Sequence, residues 1–269
     1  MNPKSTLAKS ASNFKGFPVG NAGAVLPAGF IMICALAFVA SVGATIYFCR
    51  AMGGGMHMPG GWKMSMMWMR MSGQTWFASA TDFMLMWLAM MVAMMLPSAL
   101  PTFLKTKRGP TALSVMATGY FAVWMAGGAG IYALGVLFAW AAMQWDSLSR
   151  AVPTLSGSAL IAAGIFQFTR WKLAGLLRCR SPFGCATSCP EGEASFGLGC
   201  KQGMTCCFCC AAPMLILVVL GMMNPFVIIG VAIVIAAEKI LPQPEFVARF
   251  VGLITIVAGV CLTIHTFNQ

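Results

Sequence analysis

The stretch Asp82-Phe-Met-Leu-Met-Trp-Leu-Ala-Met-Met-Val-Ala-Met-Met-Leu-Pro97 carries a single charged residue, at its first position. An apolar run of this kind is typical of a helix that crosses a lipid bilayer, which needs roughly 20 apolar residues. The rest of the chain agrees, because 59% of its 269 residues are hydrophobic and only 9% are charged. A soluble domain carries about a quarter charged residues. The composition therefore excludes a water-soluble globular enzyme.

Further apolar runs of similar character lie on both sides of this stretch. They predict an all-α, polytopic transmembrane helix bundle with about seven spans, which are Ala24 to Phe48, Asp82 to Leu104, Ala112 to Met143, Leu155 to Phe168, Cys206 to Met223, Pro225 to Ala237 and Phe246 to Thr266. We expect a cytoplasmic tail at residues 1–23 and one bundle at residues 24–269. Two connections are long: an outer Met-rich loop at residues 50–79 and an inner Cys-rich loop at residues 170–205.

The basic residues predict how the bundle is oriented. The chain has a net charge of +11, which often indicates nucleic-acid binding, but its Lys and Arg residues lie in short clusters between apolar runs. Alternate connections carry 13 and 4 of them, and cytoplasmic loops accumulate basic residues. We therefore expect a multi-pass protein of a bacterial inner membrane with a cytoplasmic amino terminus, surrounded by lipid and not bound to nucleic acid.

The outer loop has eight Met residues between positions 52 and 71 and a single histidine. Thioethers are soft ligands that select cuprous ion over hard cations. Met56, His57 and Met58, which glycines flank, are the best candidate ligands in this loop. The alternative is an interfacial segment whose Met and Trp side chains rest on lipid headgroups.

The second span carries Met residues at helical spacing. Met91 and Met95 share one face with Met84, while Met86, Met90 and Met94 share another. One face is a candidate path for a soft metal ion, although Met is also an ordinary core residue in helix bundles. Asp82 and Glu238 end apolar spans, where acidic residues often compensate a cation, and an interfacial ion pair between Glu238 and Lys239 is the alternative there.

Eight of the eleven Cys residues lie between Cys179 and Cys210. On a cytoplasmic face, such a block indicates metal or redox chemistry and not a disulfide framework. The strongest pattern is Cys206, Cys207, Cys209 and Cys210, with Met214 one helical turn further on. Pro213 frees the carbonyl of Cys209, so an irregular helix is expected here. Cys as a small hydrophobic residue and a thiol-disulfide relay are the alternatives.

Several stretches resemble a known family, the bacterial predicted metal-binding integral membrane proteins, whose members are sometimes labelled copper chaperones. The stretches are Trp87 to Pro101, Ala162 to Lys172, Cys179 to Pro182, Gly203 to Met214, Gly221 to Asn224 and Glu238 to Pro242. The chain departs from the family pattern at Gly175, where the pattern has a Cys. The resemblance implies metal binding within the membrane.

These observations lead to one functional hypothesis and one alternative. The chain is expected to take cuprous ion at the outer Met-rich loop and transfer it to thiolates near the cytoplasmic face, as a copper transporter or chaperone. The alternative is an accessory or assembly subunit of a membrane copper enzyme. A copper donor or acceptor protein is an expected partner in either case. No catalytic triad or phosphate-binding loop can be assembled from two His and six acidic residues, so we expect no enzymatic activity.

Overall fold

The computed structural model describes residues 28–70, 73–106, 108–180 and 193–267. Within these ranges the chain is almost entirely helical, which confirms the all-α prediction. The predicted tail at residues 1–23 and the residues Met71, Cys185 and Cys189 lie outside them. The helices are α1 (Ala28–Ala51), α2 (Trp76–Leu104), α3 (Pro110–Gln144), α4 (Asp146–Gln167), α5 (Arg170–Arg180), α6 (Glu193–Cys209), α7 (Ala211–Leu220), α8 (Pro225–Ile240) and α9 (Pro244–Phe267).

Five of these helices, α1, α2, α3, α4 and α9, are long and apolar enough to cross a membrane, so the chain is a membrane protein. Helices α6 and α7 pass the same test together but meet at a bend of 61°, which gives up to six spans in the described ranges. The predicted number of about seven is not confirmed. The difference arises because α8 has only 16 residues and the predicted fifth span is the second part of the bent pair.

The segment predicted as an inner Cys-rich loop contains two helices. Helix α5 occupies its first part and α6 its last part, on either side of the residues that are not described. Residues 193–205 include three glycines and two charged side chains, so their composition indicates a loop, yet tertiary packing makes them helical.

Close packing fixes α6 against α3. A Cβ atom added at Gly199 would lie 2.0 Å from the carbonyl oxygen of Met116, and one at Gly119 would lie 2.4 Å from that of Phe196. Small residues allow this approach of two backbones within a membrane. Because Gly199 lies opposite Met116 and Gly203 opposite Tyr120, the two helices run in the same direction. This packing brings the first half of α3, including Tyr120, to the last turns of α6.

Helix α2 is the most buried of the five long helices and lies at the centre of the bundle. Its Trp87 indole N–H donates to the carbonyl of Trp124 on α3 at 2.8 Å, and Ser79 near its start accepts from the Tyr132 hydroxyl at 3.1 Å. The two helices are therefore antiparallel. Most of the large buried side chains belong to one core around α2, which includes its methionines.

The Met-rich loop forms a small hairpin. Strands β1 (Gly55–His57) and β2 (Lys63–Ser65) pair antiparallel with Met56 opposite Met64, and a 3₁₀ turn (Met66–Trp68) follows. The hairpin is fixed to the corner between α3 and α4, where the Trp62 indole N–H donates to the carbonyl of Ser149 at 2.9 Å. The loop is thus an ordered part of the structure over these residues.

Candidate metal centre

Three buried thiols from two helices lie close enough to share a metal ion. The Sγ atoms of Cys179, Cys206 and Cys209 all lie within 4.8 Å of one another, and no other such group of His, Cys, Asp and Glu occurs among the described residues. The Sγ atom of Cys210 lies 3.8 Å from that of Cys206 and 3.7 Å from that of Cys209. We call these four residues the thiol cluster. None has more than 3% of its surface exposed.

The break between α6 and α7 shapes this cluster. Pro213 has no N–H to donate to the carbonyl of Cys209, and the helix ends there before α7 begins at Ala211. Successive residues of a regular helix point about 100° apart, whereas here the neighbouring Cys209 and Cys210 have their sulfurs in contact. The carbonyl of Cys209 instead accepts from the Lys172 ammonium at 2.5 Å. The irregular helix expected from Pro213 is present.

Cys179 comes from α5; it is the first residue of the predicted cysteine block but lies outside the strongest pattern, Cys206 to Cys210. The Gln202 amide holds its backbone by donating to the Cys179 carbonyl at 2.9 Å. The thiol's interaction with Cys206 raises the pKa of Cys179 to about 12. At neutral pH this side chain is therefore a protonated thiol, and a metal ion that binds it must displace the proton.

Two polar side chains point at Cys206. The Lys239 ammonium donates to Cys206 Sγ at 2.9 Å, and the Tyr120 hydroxyl donates to the same sulfur, also at 2.9 Å. Both donors stabilise negative charge on this sulfur. Lys239 also lies 3.2 Å from Ser98 Oγ and 3.9 Å from Met95 Sδ. One ammonium group thus contacts both the thiol cluster and Met95 of α2.

Glu238 has a different partner from the neighbour that the sequence suggested. Its carboxylate accepts from the Lys172 ammonium at 2.7 Å, in a pair with 0% and 1% of the two side chains exposed. The Gln167 amide donates to the other carboxylate oxygen at 3.1 Å. The alternative of an interfacial pair with Lys239 is therefore wrong, and Glu238 forms a fully buried pair with Lys172. This network fixes the Lys172 ammonium that holds the Cys209 carbonyl.

Five of the six methionines on the two predicted faces of α2 are buried, and the sixth, Met84, is half-buried. Met91 and Met95 have no exposed surface, and Met86, Met90 and Met94 have at most 2%. Met214 on α7 is buried in the same core. Cys207 is half-buried. Its sulfur belongs neither to the group formed by Cys179, Cys206 and Cys209 nor to the sulfur contacts that Cys210 makes with Cys206 and Cys209. Of the predicted ligands, the structure brings together Cys206, Cys209 and Cys210, with Met95 nearby.

The predicted ligands of the outer loop lie elsewhere. Met56 and His57 are exposed on β1, and Met58 is buried in a small core with Met64, Ala139 and Ala142. Side chains alternate along a strand, so His57 points away from the face that carries its two neighbours. The hairpin precedes the start of α2, whereas the thiol cluster lies beside Met95 and Ser98, nearer its end. The structure does not bring these two groups together.

Comparison with known proteins assigns the chain to a family. A family model named PpoB2, copper chaperone, matches residues 84–262, which is about two thirds of the chain. The matched part contains the whole thiol cluster with Lys172, Glu238 and Lys239, while the Met-rich hairpin precedes it. Neither the curated proteins nor the solved structures give a match. With its buried cysteine cluster inside the matched region, the chain belongs to the PpoB2 family of copper chaperones.

Proposed function

We propose that this membrane protein carries cuprous ion from an outer Met-rich surface to the thiol cluster, from which the ion is delivered on the cytoplasmic side. One observation carries the proposal. Lys239 contacts Met95 Sδ and Cys206 Sγ with the same ammonium nitrogen, so the buried methionines of α2 end beside the thiols. The role is carriage of copper and not catalysis.

The ligand chemistry favours cuprous ion over zinc. Thiolates and thioethers are soft ligands suited to Cu(I), whereas zinc in closed protein sites takes four tetrahedral ligands. Charge supports the same choice. Two thiolates and one cuprous ion carry one net negative charge, which Lys239 balances. Four thiolates around Zn²⁺ would carry two negative charges. A buried charge without a partner is costly, and Glu238 already neutralises Lys172.

The methionine path has the spacing that stepwise transfer needs. Met86, Met90 and Met94 lie four residues apart, as do Met91 and Met95, so neighbouring side chains meet on the helix surface at about 5–6 Å. From Asp82 to Met95 the helix rises by about 20 Å. Thioethers are neutral and thiolates are charged, so binding strengthens along the path. This gradient favours movement toward the thiol cluster.

The direction depends on orientation in the membrane. The distribution of 13 and 4 basic residues between alternate connections supports a bacterial inner membrane with the amino terminus in the cytoplasm. The Met-rich hairpin then lies outside and the connection that carries Cys179 inside. The proposed movement of copper is therefore inward.

Copper uptake into proteoliposomes tests the transport step. Wild-type protein should admit cuprous ion to a chelator trapped inside, and replacing Met91 and Met95 by Leu should slow this uptake at least about tenfold, because Leu keeps the volume but offers no sulfur. A matched control replaces Met143 and Met204, which are 48% and 66% exposed. Equal uptake by both double variants would rule out the methionine path.

A second candidate function is supported by the description of the family as copper chaperones. The protein would then hold copper at the thiol cluster and load a membrane copper enzyme as its accessory or assembly subunit. A stoichiometric partner that co-purifies from native membranes, together with absent uptake by the isolated protein, would favour this role over transport.

A further inference from the structure

A second group of methionines lines a cavity at the other end of α2. The cavity has a volume of about 160 Å³ and lies between the end of α1, the 3₁₀ turn and the start of α2. Its walls include four methionines and one carboxylate, namely Met52, Met66, Met67, Met69 and Asp82. We call this the Met cavity. It does not include Met56, His57 or Met58.

The side chains around the Met cavity are held by local structure. The amide N–H of Met69 donates to the carbonyl of Met66 at 3.1 Å, which closes the 3₁₀ turn. Within this turn Met67 is buried, and the Trp68 ring packs on Phe83 with ring centroids 5.5 Å apart. The turn is thus fixed against α2. The Gln74 amide donates to Asp82 Oδ2 at 2.7 Å and orients the carboxylate.

The composition of the walls indicates which ligand fits. Four thioethers with one carboxylate offer soft neutral ligands and a single compensating negative charge, which suits a soft monovalent cation. Hard divalent cations need six or more oxygen ligands, and the Met cavity has too few. Among the described residues no Lys or Arg side chain pairs with the half-buried Asp82 carboxylate, so a bound cation would compensate its charge.

We propose that the Met cavity is a second copper site, which binds cuprous ion through thioethers with Asp82 balancing its charge. This inference rests on the proposed function for the identity of the cargo. Asp82 lies one helical turn before Met86, the first of the buried methionines on its face. The Met cavity thus occupies the start of the methionine path, as the thiol cluster occupies its end. Capture of copper on the outer side is thereby assigned to the residues of the Met cavity and not to Met56, His57 and Met58.

Metal binding by the full-length protein in detergent tests this site. All eleven cysteines are first replaced by Ser, so that only thioether sites remain, and binding of Ag⁺ and Cu⁺ is measured by equilibrium dialysis. This background should bind one equivalent, and replacing Met52, Met66, Met67 and Met69 by Leu should abolish it. A matched control replaces Met56 and Met58 by Leu and should retain the equivalent. Undiminished binding by the fourfold Leu variant, or no binding by the background, would overturn the proposal.

Two further variants keep the result decisive. Asp82→Asn preserves the shape of the side chain but removes its charge, and should weaken Ag⁺ binding about tenfold; unchanged affinity would contradict the role of Asp82. With the thiol cluster intact, the fourfold Leu variant should still bind thiolate-coordinated copper, which also verifies that it folds. If the fourfold Leu variant does not fold, the double variant Met66→Leu, Met69→Leu takes its place. Undiminished metal binding by the double variant would then overturn the proposal. If the wild-type protein showed no copper bound by thiolates, the proposed function would be refuted, whereas binding at the Met cavity would still be tested by the variants above.

Discussion

Glu238 shows how a single side chain supports the metal centre from a distance. Its pair with Lys172 is buried, so Glu238→Ala leaves an uncompensated ammonium in the core and should lower the free energy of unfolding by about 3–5 kcal/mol. Unfolding in detergent micelles by a denaturant series measures this. Glu245→Ala is the matched control, because its pair with Arg249 is 51% and 61% exposed and should contribute at most about 1 kcal/mol. Equal effects would contradict the buried network.

Lys239 acts directly on the cluster. Its ammonium stabilises negative charge on Cys206 Sγ, so Lys239→Leu should weaken binding of cuprous ion about tenfold. Competition against a chelator of known affinity measures the change. Lys105→Leu, at an exposed position, serves as control and should leave the affinity unchanged. Unaltered binding by Lys239→Leu would show that the cluster's charge is balanced in another way.

At the residue scale, sequence alone predicted three of the four cysteines of the thiol cluster. Cys206, Cys209 and Cys210 are neighbours in the chain, so their proximity follows from local spacing. Cys179 and Tyr120 reach the same sulfur from other helices, which local spacing does not encode. The sequence signal for the contact that brings in Tyr120 is the pair Gly199 and Gly203, four residues apart. This spacing indicates close packing of two helices in a membrane, and here that packing positions Tyr120.

The contact between α3 and α6 is the element on which the site depends most. A Cβ at Gly199 would lie 2.0 Å from a backbone oxygen, whereas nothing lies within 4 Å of a Cβ at Gly197. Gly199→Ala should therefore destabilise the protein by about 1–3 kcal/mol and reduce copper binding by moving Cys206 from Tyr120. Gly197→Ala should be neutral or slightly stabilising, since Ala favours helix. Thermal unfolding and copper titration of both variants measure this, and equal behaviour would contradict the close packing.

Some helices could be predicted from the sequence and others could not. Long apolar runs identified α1, α2, α3 and α9 because hydrophobic length is a local property of the sequence. Helices α5 and α6 were predicted as parts of a loop, since their residues are too polar or glycine-rich to form an isolated span. They become helical by packing against the bundle. The broken junction of α6 and α7 was partly predictable, because Pro213 marks it.

At the scale of the whole molecule, orientation decides the direction of copper movement. In a cysteine-free background, Met56→Cys and Lys105→Cys each place one thiol in an exposed position at opposite ends of α2. An impermeant thiol reagent should label Met56→Cys in intact spheroplasts and Lys105→Cys only after lysis. The opposite pattern would turn the proposed inward delivery into export.

X-ray absorption at the copper edge of purified protein loaded with one equivalent of Cu(I) tests most directly whether the thiol cluster binds copper. The predicted first shell is thiolate sulfur, and Cys179→Ser combined with Cys206→Ser, Cys209→Ser and Cys210→Ser should remove that shell and lower the binding capacity by one equivalent. The matched control replaces Cys34, Cys49 and Cys261, which lie outside the cluster, and should change neither. An unchanged shell and stoichiometry in the fourfold Ser variant would contradict the central claim.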